Sequence, residues 1–155
     1  MPTVRVVTER DVDQLVESVT NLFRDDAGQF DPLTDTSWPQ REGHARYSAL
    51  VSDPDWLLLL AYDDGGRLIG HLVGRVNEPG STRPHRSAVL ESIYIWADIR
   101  SQGVGALLTT RFLDWAREQN AVFASVSAYA ANEKAQRFYQ RQGFASQSVM
   151  LQTVL

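Results

Sequence analysis

Two short motifs in the second half of the chain carry residue types suited to holding an anion and working beside it. The first is Arg100-Ser101-Gln102-Gly103-Val104-Gly105. It follows the apolar, strand-like run Leu90 to Trp96, and from Ala106 onward Leu107, Leu108, Phe112, Leu113 and Trp115 form a helical stripe. A helix start leaves about four N–H groups unpaired and carries partial positive charge. Gly103 and Gly105 remove side chains where an anion must approach the backbone. A phosphate can therefore sit on the N–H groups of Gln102 to Ala106, with Arg100 adding a charged contact or bracing the loop. An ordinary strand–helix turn would read the same way.

The second motif is Asn132, Ala135, Phe138, Tyr139, Gly143 and Phe144, spaced N-x-x-A-x-x-F-Y-x-x-x-G-F. It reads as a helix that carries an Asn and a Tyr back towards the cradle. Two other phosphate motifs are excluded. No Lys-Ser or Lys-Thr follows the second glycine, as a P-loop requires, and Leu108 occupies the third glycine position of the dinucleotide fingerprint.

Taken jointly, these residues resemble the GNAT superfamily of acetyl-CoA-dependent N-acetyltransferases. Arg100-x-x-Gly103-x-Gly105 is similar to its pyrophosphate motif, and Asn132 to Phe144 to its second half, with one helix and one strand between. The resemblance implies acetyl-CoA as co-substrate, bound through Arg100, Ser101, Gln102, Gly103, Val104, Gly105 and Ala106. It also implies pairing of the pantetheine arm with the backbone of Ile93, Tyr94 and Ile95, and contacts from Asn132, Ala135, Phe138 and Tyr139. Asn132 would otherwise be a plain helix cap.

Acetyl transfer to an amine needs a proton removed from the nucleophile and a stabilised leaving thiolate. The resemblance makes Tyr139 the acid or hydrogen-bond donor at the sulfur, with Phe138 beside it packing in the core. Glu91 is the candidate base. By strand alternation it shares a side with Ile93 and Ile95, where partial desolvation would raise its pKa. The acceptor is expected to be a small-molecule amine such as an amino sugar, antibiotic, polyamine or amino-acid derivative. Asp25, Asp26, Asp31 and Asp35 with Trp38 are candidates to receive a cation, or form solvated surface. Tyr94 and Trp96 line the pocket or pack on a helix, and His71 reads as a sheet residue rather than a base. The alternatives are a protein lysine or N-terminal acetyltransferase, and an inactive acyl-CoA sensor. Arg83, Arg86 and Arg100 are candidates for the ribose phosphate.

The elements that must position these groups follow in order. Val4 to Val7 reads as a strand, and Thr8 or Asp11 caps a helix with Val12, Leu15, Val16, Val19, Leu22 and Phe23 on one face. After the irregular stretch Arg24 to Pro39, a second helix is expected to about Val51, stopped by Asp53-Pro54. Trp56 to Tyr62 and Leu68 to Val76 flank the hairpin signal Asp63-Asp64-Gly65-Gly66. A loop from Glu78 to Ser87 leads into the strand Ala88 to Trp96. Ala121 to Ala128 is a strand, Asn132 to Gln142 a helix capped by Gly143, and Ser148 to Leu155 a last strand. The order β-α-α-β-β-β-α-β-α-β predicts a single α+β, GNAT-like domain over residues 1–155. Its mixed central sheet should have six to seven strands, with about four helices. The family usually ends in two strands, and only twelve residues follow Gly143.

Composition narrows the rest. The 155 residues, 43% hydrophobic and 22% charged, suit one globular domain. The absence of cysteine removes thiol nucleophiles and disulfides, and His44, His71 and His85 lack ligand spacing, so no metal is expected. Fifteen Lys+Arg against nineteen Asp+Glu give a net charge of −4, which argues against nucleic acid. No apolar run approaches the roughly 20 residues of a membrane span. No basic segment precedes an apolar one at the N-terminus, so a cytoplasmic protein without membrane contact is expected. Homodimers are common in the family, though no single feature here demands one.

Overall fold

The computed structural model describes residues 1–155. Its elements are β1 (Thr3–Val6), α1 (Val12–Asp25), α2 (Ala27–Phe30), α3 (His44–Leu50), β2 (Trp56–Tyr62), β3 (Leu68–Asn77), β4 (Ser87–Ile95), α4 (Val104–Glu118), β5 (Phe123–Val126) and α5 (Glu133–Arg141). The strands form one sheet in the order β1-β2-β3-β4-β5. All neighbours are antiparallel except β4 and β5, so the sheet is mixed.

Strand β2 shows why the core has two halves. Its run Leu57 to Ala61 is apolar throughout because both faces of the strand are covered. Leu57, Leu59 and Ala61 join Leu108, Phe112 and Ala116 of α4 in one cluster. Leu58, Leu60 and Tyr62 join Leu15 and Val19 of α1 and Tyr47 and Leu50 of α3 in the other. Close packing of α4 depends on a missing side chain: a Cβ on Gly74 of β3 would lie 2.6 Å from the Phe112 ring.

Local signals act as expected at several joints. Thr8 donates its backbone N–H (2.9 Å) and its hydroxyl (2.8 Å) to Asp11 at the entry to α1. Gly66 takes φ +84° in the β2–β3 turn, where Asp63 Oδ1 accepts from the N–H groups of Gly65 and Arg67. Within the stretch expected to be irregular, α2 forms a single turn, and a wide π-helical turn, Pro39–Gly43, leads into α3.

The C-terminal end departs from expectation. The sheet has five strands rather than six or seven, because no strand forms over Ser148 to Leu155. Val149, Met150, Leu151, Val154 and Leu155 are all exposed. Strand-like alternation stabilises a strand only when an edge and a covered face receive it, and these residues meet neither.

His71 lies wholly buried in β3 with both ring nitrogens occupied. Ser18 Oγ of α1 is 2.5 Å from Nδ1, and Ser92 Oγ of β4 is 3.0 Å from Nε2. Burial pushes the imidazole down to about 3, so it is neutral in the folded chain. Unfolding restores the ordinary value near 6.5. Below that pH the unfolded chain binds a proton that the folded chain refuses. The stability present above pH 6.5 is therefore lost as pH falls towards 3, at roughly 1.4 kcal/mol per pH unit. Urea unfolding between pH 6 and 4 should show a slope steeper by about one proton in the wild type than in His71→Gln. Parallel slopes would remove His71 from the acid sensitivity.

Candidate active site

The site begins where two parallel strands part. β5 pairs with β4 only from Ser87 to Leu90, opposite Phe123 to Val126. β4 continues to Ile95, so the edge carrying Ile93, Tyr94 and Ile95 runs on without a strand beside it. Immediately beyond lies the turn into α4. Ser101 and Gly103 both take positive φ, +65° and +88°. The N–H groups of Gln102, Gly103, Val104, Gly105 and Ala106 donate to no acceptor in the chain, and the first helical bond runs from Leu107 N–H to Gly103 O at 3.0 Å. Such a run of converging free donors is an anion cradle. Arg100 braces it: its Nε donates to the Ile95 carbonyl at 2.9 Å, and its guanidinium lies 5.2 Å from the Tyr94 ring centroid. Of the two roles open to Arg100, fixing the loop is the one seen here.

Helix α5 meets this turn through Phe138. A Cβ on Gly105 would lie 3.0 Å from Cε1 and Cζ of that ring, so Gly105 makes room for α5 as well as for an anion. The far end of α5 is closed by a Schellman motif. Phe144 N–H donates to Tyr139 O and Gly143 N–H to Gln140 O (3.0 and 3.1 Å), with Gly143 at φ +99° and the Tyr139 and Phe144 rings 6.0 Å apart. Tyr139 is thus held at its backbone and its ring. Burial pushes its hydroxyl up to about 12, and the nearby Asp26 charge adds to the shift.

Asn132 caps α5, its Oδ1 accepting from Ala135 N–H at 3.1 Å, while its Nδ2 donates to Asp26 Oδ1 at 3.0 Å. Both polar ends of that side chain are engaged within the chain. Asp26 sits at the break between α1 and α2, and burial raises its pKa against the opposing hydrogen bond from Asn132. It enters the site as a neighbour of Tyr139, which a reading of the acidic run as a cation receiver did not anticipate. The other acids are also partnered. Asp25 accepts from Arg24 and from the Tyr94 hydroxyl (2.6 Å), Asp31 from Thr34 (2.6 Å) and Asp35 from Ser37 (2.6 Å) and Arg41.

Glu91 does not share a side with Ile93 and Ile95. Gly74 of β3 pairs with Leu90 and Val73 with Ser92, so Glu91 is the extra residue of a β-bulge. Beyond it, Ile93 and Ile95 pack on the α4 side, while Glu91 and Ser92 line a groove on the α1–α3 side. Glu91 is the single carboxylate in that groove and is ion-paired with Arg75. Glu91 is therefore held against a guanidinium on the α1–α3 side, not on the face that Ile93 and Ile95 share. Phe23, Trp38, Tyr47 and Trp56 form aromatic walls, and Arg46 completes the rim. Of these groove residues only Trp38 and Glu91 were picked out by motif or spacing. Tyr94 and Trp96 instead pack on each other, with ring centroids 5.5 Å apart. No group of three or more His, Cys, Asp or Glu side chains is gathered to hold a metal ion, and no helix is long and apolar enough to cross a membrane.

The contact between Gly105 and Phe138 is open to a direct check. Gly105→Val should destabilise the fold by about 1–3 kcal/mol through overpacking, read as a lowered thermal midpoint. An unchanged midpoint would mean that the ring yields freely and that α5 is not seated on this turn.

Comparison with known proteins agrees with this geometry. Residues 16–144 match the family model described as Acetyltransferase (GNAT) family. No curated protein matches the sequence. Among solved structures, a mutant BH1408 protein from Bacillus halodurans superposes with a TM-score of 0.80 at 15% identity, covering 99% of each chain. An aminoglycoside antibiotic 6′-N-acetyltransferase from Acinetobacter baumannii gives 0.77 at 17% identity, covering 100% of this chain and 99% of its own. A GCN5-related N-acetyltransferase from Ralstonia eutropha JMP134 gives 0.77 at 19% identity, covering 99% of each. At these identities the superpositions speak for the fold, while the family model spans most of the chain: the protein belongs to the GNAT family of acetyltransferases and is an acyltransferase.

Proposed function

We propose that this enzyme moves an acetyl group from acetyl-CoA, the co-substrate of its family, to the primary amine of a small molecule. The observation that carries the reading is the run of free N–H groups at residues 102–106, which opens beside the unpaired edge of β4 and under the helix bearing Tyr139. The residues fit the group: the backbone of Gln102 to Ala106 cradles the pyrophosphate, and Arg100 and Ser101 hold the turn in shape. The β4 edge at Ile93, Tyr94 and Ile95 pairs with the pantetheine arm as an added strand would. Ala135 and Phe138 flank the arm, and Asn132 fixes the start of their helix. Bound there, acetyl-CoA supplies an acyl group activated as a thioester.

The chain's own groups then handle protons. An alkylammonium has a pKa near 10, so about one acceptor molecule in a thousand is neutral at pH 7. Glu91 takes the proton as the nitrogen attacks, directly or through water. Tyr139, held near 12, keeps its proton throughout the neutral range. Full transfer to a thiolate of pKa about 8.5 would be uphill by on the order of 5 kcal/mol. Its contribution is accordingly a hydrogen bond that strengthens as charge develops on sulfur. The groove's aromatic walls, gathered around a single carboxylate, support a small acceptor.

Calorimetric titration with acetyl-CoA, followed by thiol release across a panel of amines, tests the whole reading. Binding with release for one amine class is expected, and no binding would overturn it. Tyr139→Phe should lower kcat by roughly 10- to 10³-fold with little change in acetyl-CoA affinity. Equal turnover would remove Tyr139 from the chemistry. Glu91→Gln should reduce kcat by roughly 10²- to 10⁴-fold with acetyl-CoA affinity retained, and a near-wild-type rate would assign proton removal to water alone.

A further inference from the structure

The groove beside Glu91 has a charge balance that bears on the acceptor. Two of its polar side chains neutralise each other, since Arg75 and Glu91 form an ion pair in which Arg75 also bonds Asn77. Arg46, one residue before Tyr47 on α3, has no carboxylate within ion-pair distance and no hydrogen-bond partner. Its guanidinium rests over the Trp56 ring, 5.2 Å from the centroid. Around it the walls are aromatic: Phe23 and Trp38 stack at 5.9 Å with planes 17° apart, and Tyr47 meets Trp38 edge-on at 6.2 Å. Arg46, Tyr47 and Glu91 line the same groove, so the unpaired cation and the carboxylate open onto one space.

From this arrangement we infer that the acceptor is a zwitterionic amine with an aromatic or branched apolar side chain, its carboxylate taken by Arg46 and its amine directed to β4 beside Glu91. The chemistry agrees at each point. A planar guanidinium is suited to bidentate carboxylate recognition. An amine entering beside Glu91 competes with Arg75 for the one carboxylate present, and the four rings offer apolar walls and cation-accepting faces. A polycation meets the opposite condition. The groove presents one unbalanced positive charge, and its lining holds no carboxylate besides Glu91. Amino sugars and polyamines are therefore disfavoured where a compound such as phenylalanine or leucine is accommodated. This assignment rests on the acetyl-transfer reading of the same groove.

The test compares L-phenylalanine and L-leucine with their methyl esters, and with spermidine and kanamycin, as acceptors in a thiol-release assay. Binding of each is followed separately by tryptophan fluorescence in the presence of CoA. The ratio of kcat/KM for each free acid to that for its ester should be about 10- to 100-fold higher in wild type than in Arg46→Gln, the range for a charge-assisted hydrogen bond. Arg46→Lys should restore part of it, with unchanged thermal midpoints confirming that both fold. Efficient transfer to spermidine or kanamycin with none to the free acids would overturn the inference and leave the acetyltransferase reading standing. Binding of the free acids that depends on Arg46, without transfer to any amine, would support the groove assignment and sink acetyl transfer instead. An acid-to-ester ratio unchanged in Arg46→Gln, or absence of binding and transfer for both, would overturn the inference.

Discussion

At Glu91, strand β4 carries one residue more than the strand beside it, and that insertion decides which side chains meet which face of the sheet. Before the bulge, Ala88 and Leu90 feed the core under α4; after it, Ile93 and Ile95 do so, although simple alternation from Leu90 would send them to the other side. Glu91 and Ser92 are left together on the α1–α3 face, one at the mouth of the groove and the other bonded to the buried His71. The pairing of β4 with β5 ends at Leu90, one residue before the bulge. The bulge in one strand thus falls where the sheet opens and leaves a carboxylate on the α1–α3 face.

The rest of the site is held against this opening by contacts that interlock. Arg100 ties the α4 turn to the last carbonyl of β4, Phe138 rests on Gly105, and the cap at Gly143 and Phe144 secures the backbone of Tyr139. Asn132 joins the start of α5 to Asp26 at the end of α1. Two of these contacts, Phe138 on Gly105 and Asn132 with Asp26, link elements distant in sequence, so the turn, the strand edge and the tyrosine share one frame. Preorganisation of this kind fixes polar groups before charge develops, when reorganising them would cost most.

Much of this was legible from residue types. The two motifs, the hairpin at Asp63 to Gly66, the caps at Thr8 and Gly143, and every element through α5 except the single turn of α2 follow from local chemistry. What escaped has a physical reason in each case. A bulge is a difference in residue count between two strands, and the sequence of β4 alone holds no sign of it, so Glu91 was placed on the wrong face. The local pairing of the acids from Asp25 to Asp35 was hidden because their partners Arg24, Thr34, Ser37 and Arg41 look like ordinary loop residues. Arg46 sits at an exposed helical position of the kind that Arg commonly fills, and only its approach to Trp56 marks it out. The tail from Ser148 has strand-like composition, but composition cannot provide the neighbouring edge that a strand needs.

The division of the core by the sheet has a consequence for how such a protein can change. The α4 turn and the seat of α5 lie with one apolar cluster, and the aromatic groove lies with the other, the two meeting along β4. Positions 23, 38, 46 and 56 can therefore drift without disturbing the packing that shapes the turn, whereas position 105 has no such latitude. Divergence among descendants of this chain would be expected to accumulate on one side of a wall, where novelty is cheap, while the other side stays nearly still.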